Sequence, residues 1–110
     1  MSLYGDYLAE REGYDIVEDE NGFATYIYSP ENSECYIRDI YVKPESRKDH
    51  IASHYADEIT KLAKLNGCTT LSGSVDPRST GATDSLKVLL AYGFKVHSIN
   101  GPLVMFVKEI

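Results

Sequence analysis

The sequence predicts a single small α/β (α+β) domain built on a mixed, mostly antiparallel sheet with two main helices. Three observations carry that expectation. The first forty residues alternate β-rich runs with turn residues. Two later stretches have helical spacing, and each runs into a glycine followed by another β-rich run. The chain has 110 residues, 43% hydrophobic and 25% charged, which supplies one core but not two.

Tyr4 to Glu12 has room for one or two helical turns packed by Tyr4, Tyr7 and Leu8. Tyr14 to Glu18 and Phe23 to Ser29 are β-rich, and Asp19-Glu20-Asn21-Gly22 between them reads as a hairpin connection. Pro30 to Ser33 make a second turn into a third strand, Glu34 to Lys43, so the front of the chain is an antiparallel meander. In that third strand Cys35 and Ile37 keep one phase of alternation while Ile40 and Val42 keep the other. A slip of one residue is what a β-bulge produces, and it falls at Arg38 and Asp39. The alternative is that these two charges only mark an exposed strand.

Pro44 ends the strand. From Ile51 to Asn66 the apolar positions Ile51, Ala52, Tyr55, Ala56, Ile59, Leu62, Ala63 and Leu65 form a helical stripe, stopped by Gly67. Thr69 to Val75 is a short strand closed by Asp76-Pro77. Thr83 or Asp84 can cap a second helix through Leu86, Val88, Leu89 and Leu90, which Gly93 ends. Phe94 to Ile99 and Leu103 to Val107 are two last strands around Asn100-Gly101-Pro102. Strand–helix–strand units need parallel neighbours, so the sheet is expected to be mixed.

The formal net charge of −6 disfavours nucleic acid and anionic membranes as partners, since both are bound by basic patches. It tolerates a cationic substrate such as an amine. No apolar run approaches the ~20 residues needed to span a bilayer. Met1 to Tyr14 mixes acidic residues with tyrosines and does not read as a secretory signal, which points to the cytoplasm. Cys35 and Cys68 have neither metal-site spacing nor the density of a disulfide scaffold and read as free buried thiols. His50, His54 and Asp57 share a helix face, but no further ligand follows at useful spacing, so no metal is expected. No Gly-x-Gly-x-x-Gly is present, which removes a dinucleotide fingerprint.

The stretch Ile40-Tyr-Val-Lys-Pro-Glu-Ser-Arg-Lys-Asp-His-Ile-Ala-Ser53 resembles the cofactor motif of the GNAT superfamily of N-acetyltransferases. In that motif a bulged strand ending in Val-x-Pro leads through an Arg/Gln-x-x-Gly-x-Gly/Ala loop into a helix. Ser85-Leu-Lys-Val-Leu-Leu-Ala-Tyr-Gly-Phe94 is similar to the family's second signature. The Gly-Ala-Thr-x-Ser-Leu-Lys-Val-Leu-Leu pattern is also similar to small GNAT-like proteins of bacteriophages. The resemblance implies a single GNAT-like domain over 1–110, with a variable N-terminal part (1–33), a cofactor-binding core (34–107) and a central V-splayed strand pair.

It also implies acetyl-CoA as cosubstrate and a primary amine, of a small molecule or a protein, as acceptor; a homodimer is compatible with it. Arg47, Lys48, His50, Ile51, Ala52 and Ser53 would hold the pyrophosphate at a helix start, where amides are unpaired and the dipole end is positive. Backbone groups of Ile40, Tyr41 and Val42 would pair with the pantetheine arm. Asp39 is the candidate base, with Glu34 and Asp76 as alternatives, and Tyr92 is the candidate acid. Three positions depart from the pattern: His50 stands for the first loop glycine, Leu89 for the usual acid tyrosine, and Ser74 near the place of a glutamate base. The rival reading is a GNAT-like interaction or structural protein that has lost its cofactor.

Overall fold

A computed structural model describes residues 2–47 and 49–110. Helix α1 (Leu3–Arg11) has nine residues, about two and a half turns, slightly more than the one or two expected. Ser2 explains its start: its hydroxyl oxygen accepts from the Gly5 N–H at 2.9 Å, satisfying one of the free amides of the first turn. Leu8 is buried as expected, but Tyr4 and Tyr7 stay exposed. Tyr4 instead meets Phe23 edge-on, with ring centroids 5.4 Å apart.

The meander follows as β1 (Asp15–Asp19), β2 (Gly22–Ser29) and β3 (Glu34–Val42). The first connection is tighter than four residues, because Asp19 already pairs with Gly22. Only Glu20 and Asn21 remain in the turn, where the Asn21 N–H donates to Asp19 Oδ1 at 2.8 Å. Gly22 is demanded by β3 rather than by the turn. A Cβ there would stand 1.9 Å from the Tyr41 carbonyl oxygen, a clash with backbone that no rotamer relieves.

The chain continues through α2 (Ile51–Leu65), β4 (Thr70–Val75), α3 (Ala82–Tyr92), β5 (Lys95–Asn100) and β6 (Leu103–Glu109). Helix α3 starts one residue ahead of the expected cap. Gly81 precedes it in the left-handed region (φ 81°), and neither Thr83 nor Asp84 caps it. The six strands form one sheet in the order β1-β2-β3-β4-β6-β5, with β3–β4 the parallel pair. Residues on both sides of position 33 therefore share one sheet.

Alternation divides the two faces. Val17, Ala24, Cys35, Ile37, Leu71 and Phe106 point to one side and meet Tyr55, Ile59 and Ala63 of α2. Ile59 is fully buried, which is worth about 2–3 kcal/mol relative to exposure. Helix α1 lies on the other side, its Gly5 against Ile16. The Tyr55 hydroxyl donates to Asp19 Oδ1 at 2.5 Å and ties α2 to the first hairpin. Among the described residues no helix is long and apolar enough to cross a membrane.

Candidate functional site

The phase slip read in β3 is a bulge. Thr25 pairs with Asp39 and Tyr26 with Ile37, leaving Arg38 as the extra residue. On its other side β3 pairs with β4 only from Glu34–Thr70 to Ile37–Gly73. Beyond that point the two strands part, while β4 stays paired with β6 as far as Val75. This is the V-splay. Residues 38–42 of β3 thus have a neighbour on one edge only, and the alternate backbone groups turned away from β2 face open space.

That space is a cleft of about 690 Å³, within the usual range for small-molecule sites. One wall is Arg38 to Val42 with Arg47 and Ala52. The other is Gly73 to Val75 with Gly81, Ser85, Val88 and Leu89 of α3. The structure therefore brings Asp39, Ile40, Tyr41, Val42, Arg47 and Ala52 together. Lys48 lies outside the described residues.

Arg47 does not reach freely toward the helix start. Its Nε donates to the Val42 carbonyl oxygen at 2.9 Å, and its guanidinium lies 5.7 Å from the Tyr41 ring centroid. The side chain bridges strand end and loop. The start of α2 follows. Ile51, Ala52 and Ser53 are its first three residues, so their amides have no acceptor within the helix, and the His50 side chain at the N-cap does not cap them.

His50 precedes them in the left-handed conformation, φ 58° and ψ 28°. That is the backbone a glycine would adopt without strain, which is the physical reason a glycine suits this loop position. The imidazole is exposed, makes no cap bond and is not among the residues lining the cleft. The loop is therefore strained but not plugged by His50.

Asp39 lies at the cleft with its side chain about half exposed. Its Oδ2 accepts from the buried Thr25 hydroxyl at 3.5 Å and sits 3.6 Å from Arg38 Nε. Arg38 also bonds Glu12 Oε2 at 2.7 Å, joining the end of α1 to the bulge.

Tyr92 is placed elsewhere. Its hydroxyl donates to Asp57 Oδ1 at 2.6 Å on α2, Lys108 Nζ sits 4.0 Å from its ring centroid, and it does not line the cleft. Burial first, and then the bond to Asp57, push its pKa up. The geometry gives it a packing role between α2, α3 and β6 in place of the acid role expected from its nearness to Gly93.

Sequence reasoning passed over a hydroxyl pair, Tyr36 Oη and Ser74 Oγ, 2.7 Å apart across the β3–β4 junction. Ser74 lines the cleft, whereas Tyr36 lines a second depression of about 470 Å³ on the α1 side of the sheet. Ser72, 4% exposed, lines that depression too, and its hydroxyl has no hydrogen-bond partner among the described residues. Alternation around the bulge could have put Tyr36 and Asp39 on one face; the pairing to Ser74 could not be read from it.

Among curated proteins none matches this sequence. Solved structures match in fold. The PaiA N-acetyltransferase of Thermoplasma acidophilum, in complex with coenzyme A, has a TM-score of 0.71 at 21% identity over 82% of this chain and 54% of its own. A candidate GNAT-family acetyltransferase of Desulfovibrio desulfuricans gives 0.79 at 15% identity over 94% of this chain and 75% of its own. An acetyltransferase of Bacillus subtilis in complex with CoA gives 0.72 at 14% identity, over 96% and 83%. The chain thus spans about half the length of the first of these. The model of the acetyltransferase (GNAT) family matches residues 3–89. With the bulged strand, the splay and the uncapped helix start in one cleft, the chain belongs to the acetyltransferase (GNAT) family.

Proposed function

We infer that this chain binds acetyl-CoA and transfers its acetyl group to a primary amine, of a small molecule or a protein. The observation that carries the reading is the cleft that opens where β3 and β4 part and is bordered by the start of α2. A pantetheine arm has the alternating amides that the free edge of Ile40 to Val42 can pair with, as an added strand would. A diphosphate suits the uncapped amides of Ile51, Ala52 and Ser53, with cationic support from Arg47 and from Lys48. Solved acetyltransferases of the same fold that hold CoA support this reading.

The amine would enter from the α1 side of the sheet, where Asp39 and the Tyr36–Ser74 pair stand. Asp39 takes the proton that the amine loses as its nitrogen bonds the acetyl carbon. The Ser74–Tyr36 pair supplies the proton that the departing thiolate gains as the carbon–sulfur bond breaks. A backbone N–H at the bulge can polarise the thioester carbonyl, and positioning does much of the rest.

The second reading, a GNAT-like module without cofactor, draws on His50 in its left-handed conformation and on Leu89 lining the cleft. Calorimetric titration and thermal melts with acetyl-CoA separate the two. Binding raises stability by RT ln(1 + [L]/Kd), so a shift growing with ligand is expected. No heat and no shift at millimolar acetyl-CoA would leave the second reading.

A further inference from the structure

Arg38 is the extra residue of the β3 bulge and lines the cleft, yet its guanidinium is fixed from outside that strand. Its Nη1 donates to Glu12 Oε2 at 2.7 Å, and its Cζ lies 4.9 Å from the Tyr14 ring centroid. Both anchors are themselves held. Glu12 ends α1, and Gly13 follows it in the left-handed region (φ 74°). The Glu12 and Tyr14 N–H groups then both donate to the Leu8 carbonyl oxygen, at 3.0 and 3.3 Å. Leu8 is 2% exposed, so the clamp stands on a buried residue. On its other side the guanidinium faces Asp39, with Nε 3.6 Å from Oδ2, and the buried Thr25 hydroxyl donates to the same oxygen at 3.5 Å. These two contacts are long, so the charge of Arg38 gives them most of their weight. Both fall on Oδ2, which leaves Oδ1 as the oxygen for a further partner.

We propose that Arg38 is a positioning residue for acetyl transfer: held by Glu12 and Tyr14, it fixes Asp39 Oδ2 and so presents Oδ1 to the incoming amine. Oδ1 then takes the proton that the amine nitrogen gives up as it bonds the acetyl carbon. The inference rests on the reading of Asp39 as the base. Magnitudes separate this role from a stabilising one. The side chains of Arg38, Glu12 and Asp39 are 41%, 35% and 54% exposed, and ion pairs so open to water contribute little to stability. A base displaced by ~1 Å, in contrast, costs about a hundredfold in rate. The end of α1, which does not line the cleft, thereby enters the reaction through one side chain.

Steady-state rates with an amine acceptor, and calorimetric Kd values for acetyl-CoA, test this on variants expected to stay folded. Arg38→Ala should lower kcat about tenfold and Glu12→Ala about fivefold, while the Kd for acetyl-CoA changes by less than about twofold. Glu12→Gln keeps an acceptor oxygen for Arg38 and should recover most of the loss. Adding Arg38→Ala to Asp39→Asn should cost nothing further, because a residue that acts through Asp39 then has nothing to position. Equal losses with and without the Asp39 carboxylate overturn the inference. So do wild-type rates in Arg38→Ala and Glu12→Ala when Asp39→Asn is slow. A crystal structure of Glu12→Ala reads the placement apart from any rate: Arg38 Nε should leave Asp39 Oδ2, and a pair that keeps its place overturns the inference. Asp39→Asn at the wild-type rate is a different failure, since it removes Asp39 as the base and this inference with it.

Discussion

Arg47 donates from Nε to the Val42 carbonyl oxygen at 2.9 Å, so one side chain joins the end of the bulged strand to the loop before α2. Two parts of the proposed cofactor site are thereby held in one geometry. Arg47→Ala is expected to raise the Kd for acetyl-CoA about tenfold, the equivalent of ~1.4 kcal/mol. Arg47→Lys keeps the charge but not the planar fork, so it should recover only part of that loss. Isothermal titration of the three proteins measures both.

His50→Gly is expected to tighten acetyl-CoA binding severalfold. Glycine removes the Cβ from a left-handed position, which costs an ordinary residue about 1–2 kcal/mol, and lets a diphosphate approach the backbone. Its greater freedom in the unfolded chain takes back about 0.5–1 kcal/mol, so the melting temperature should rise only slightly. Weaker binding in His50→Gly would mean that the imidazole itself contacts the ligand.

Gly22→Ala should be severely destabilising for a surface hairpin residue, by about 3 kcal/mol. The added carbon would meet Tyr41 and Val42 backbone atoms at 1.9 and 2.9 Å, and backbone of a paired strand cannot turn aside. Chemical denaturation quantifies the loss. The displacement would fall on β3, so acetyl-CoA affinity should drop in whatever fraction still folds.

The bond from Tyr55 to Asp19 makes a pH-dependent contribution. Donation by Tyr55, and then by the Asn21 N–H, holds the Asp19 carboxyl below its usual range, while burial and the same carboxylate push the Tyr55 hydroxyl up. A carboxyl lowered in the folded state stabilises above its unfolded pKa, and the contribution is lost as pH falls through the folded one. Tyr55→Phe should therefore melt below wild type at pH 7, and the gap should narrow as pH drops below about 4. Thermal melts between pH 7 and 3 test the sign.

Tyr36→Phe and Asp39→Asn should each lower kcat by about a hundredfold with little change in acetyl-CoA affinity, as loss of a proton-transfer group does. Tyr92→Phe should lower stability and leave kcat nearly unchanged, since its hydroxyl is engaged by Asp57. Steady-state rates with an amine acceptor separate the three.

Most of the architecture was legible because it is local. The stripe from Ile51 to Ala63 is a pattern of near neighbours, as are the stops at Pro44, Gly67 and Gly93 and the phase slip at Arg38. Each states its element without reference to the rest of the chain. The motif order likewise placed Ile40 to Val42 and Arg47 on one site before any coordinates. What could not be read joins residues far apart in sequence. Tyr36 meets Ser74 across 38 positions, Tyr92 gives its hydroxyl to Asp57 across 35, and Gly22 is a glycine because of Tyr41. A sheet brings together strands that the sequence separates, and which hydroxyl faces the cleft depends on register and splay. Only the folded chain sets those, because they follow from how β3, β4 and the helices pack against one another.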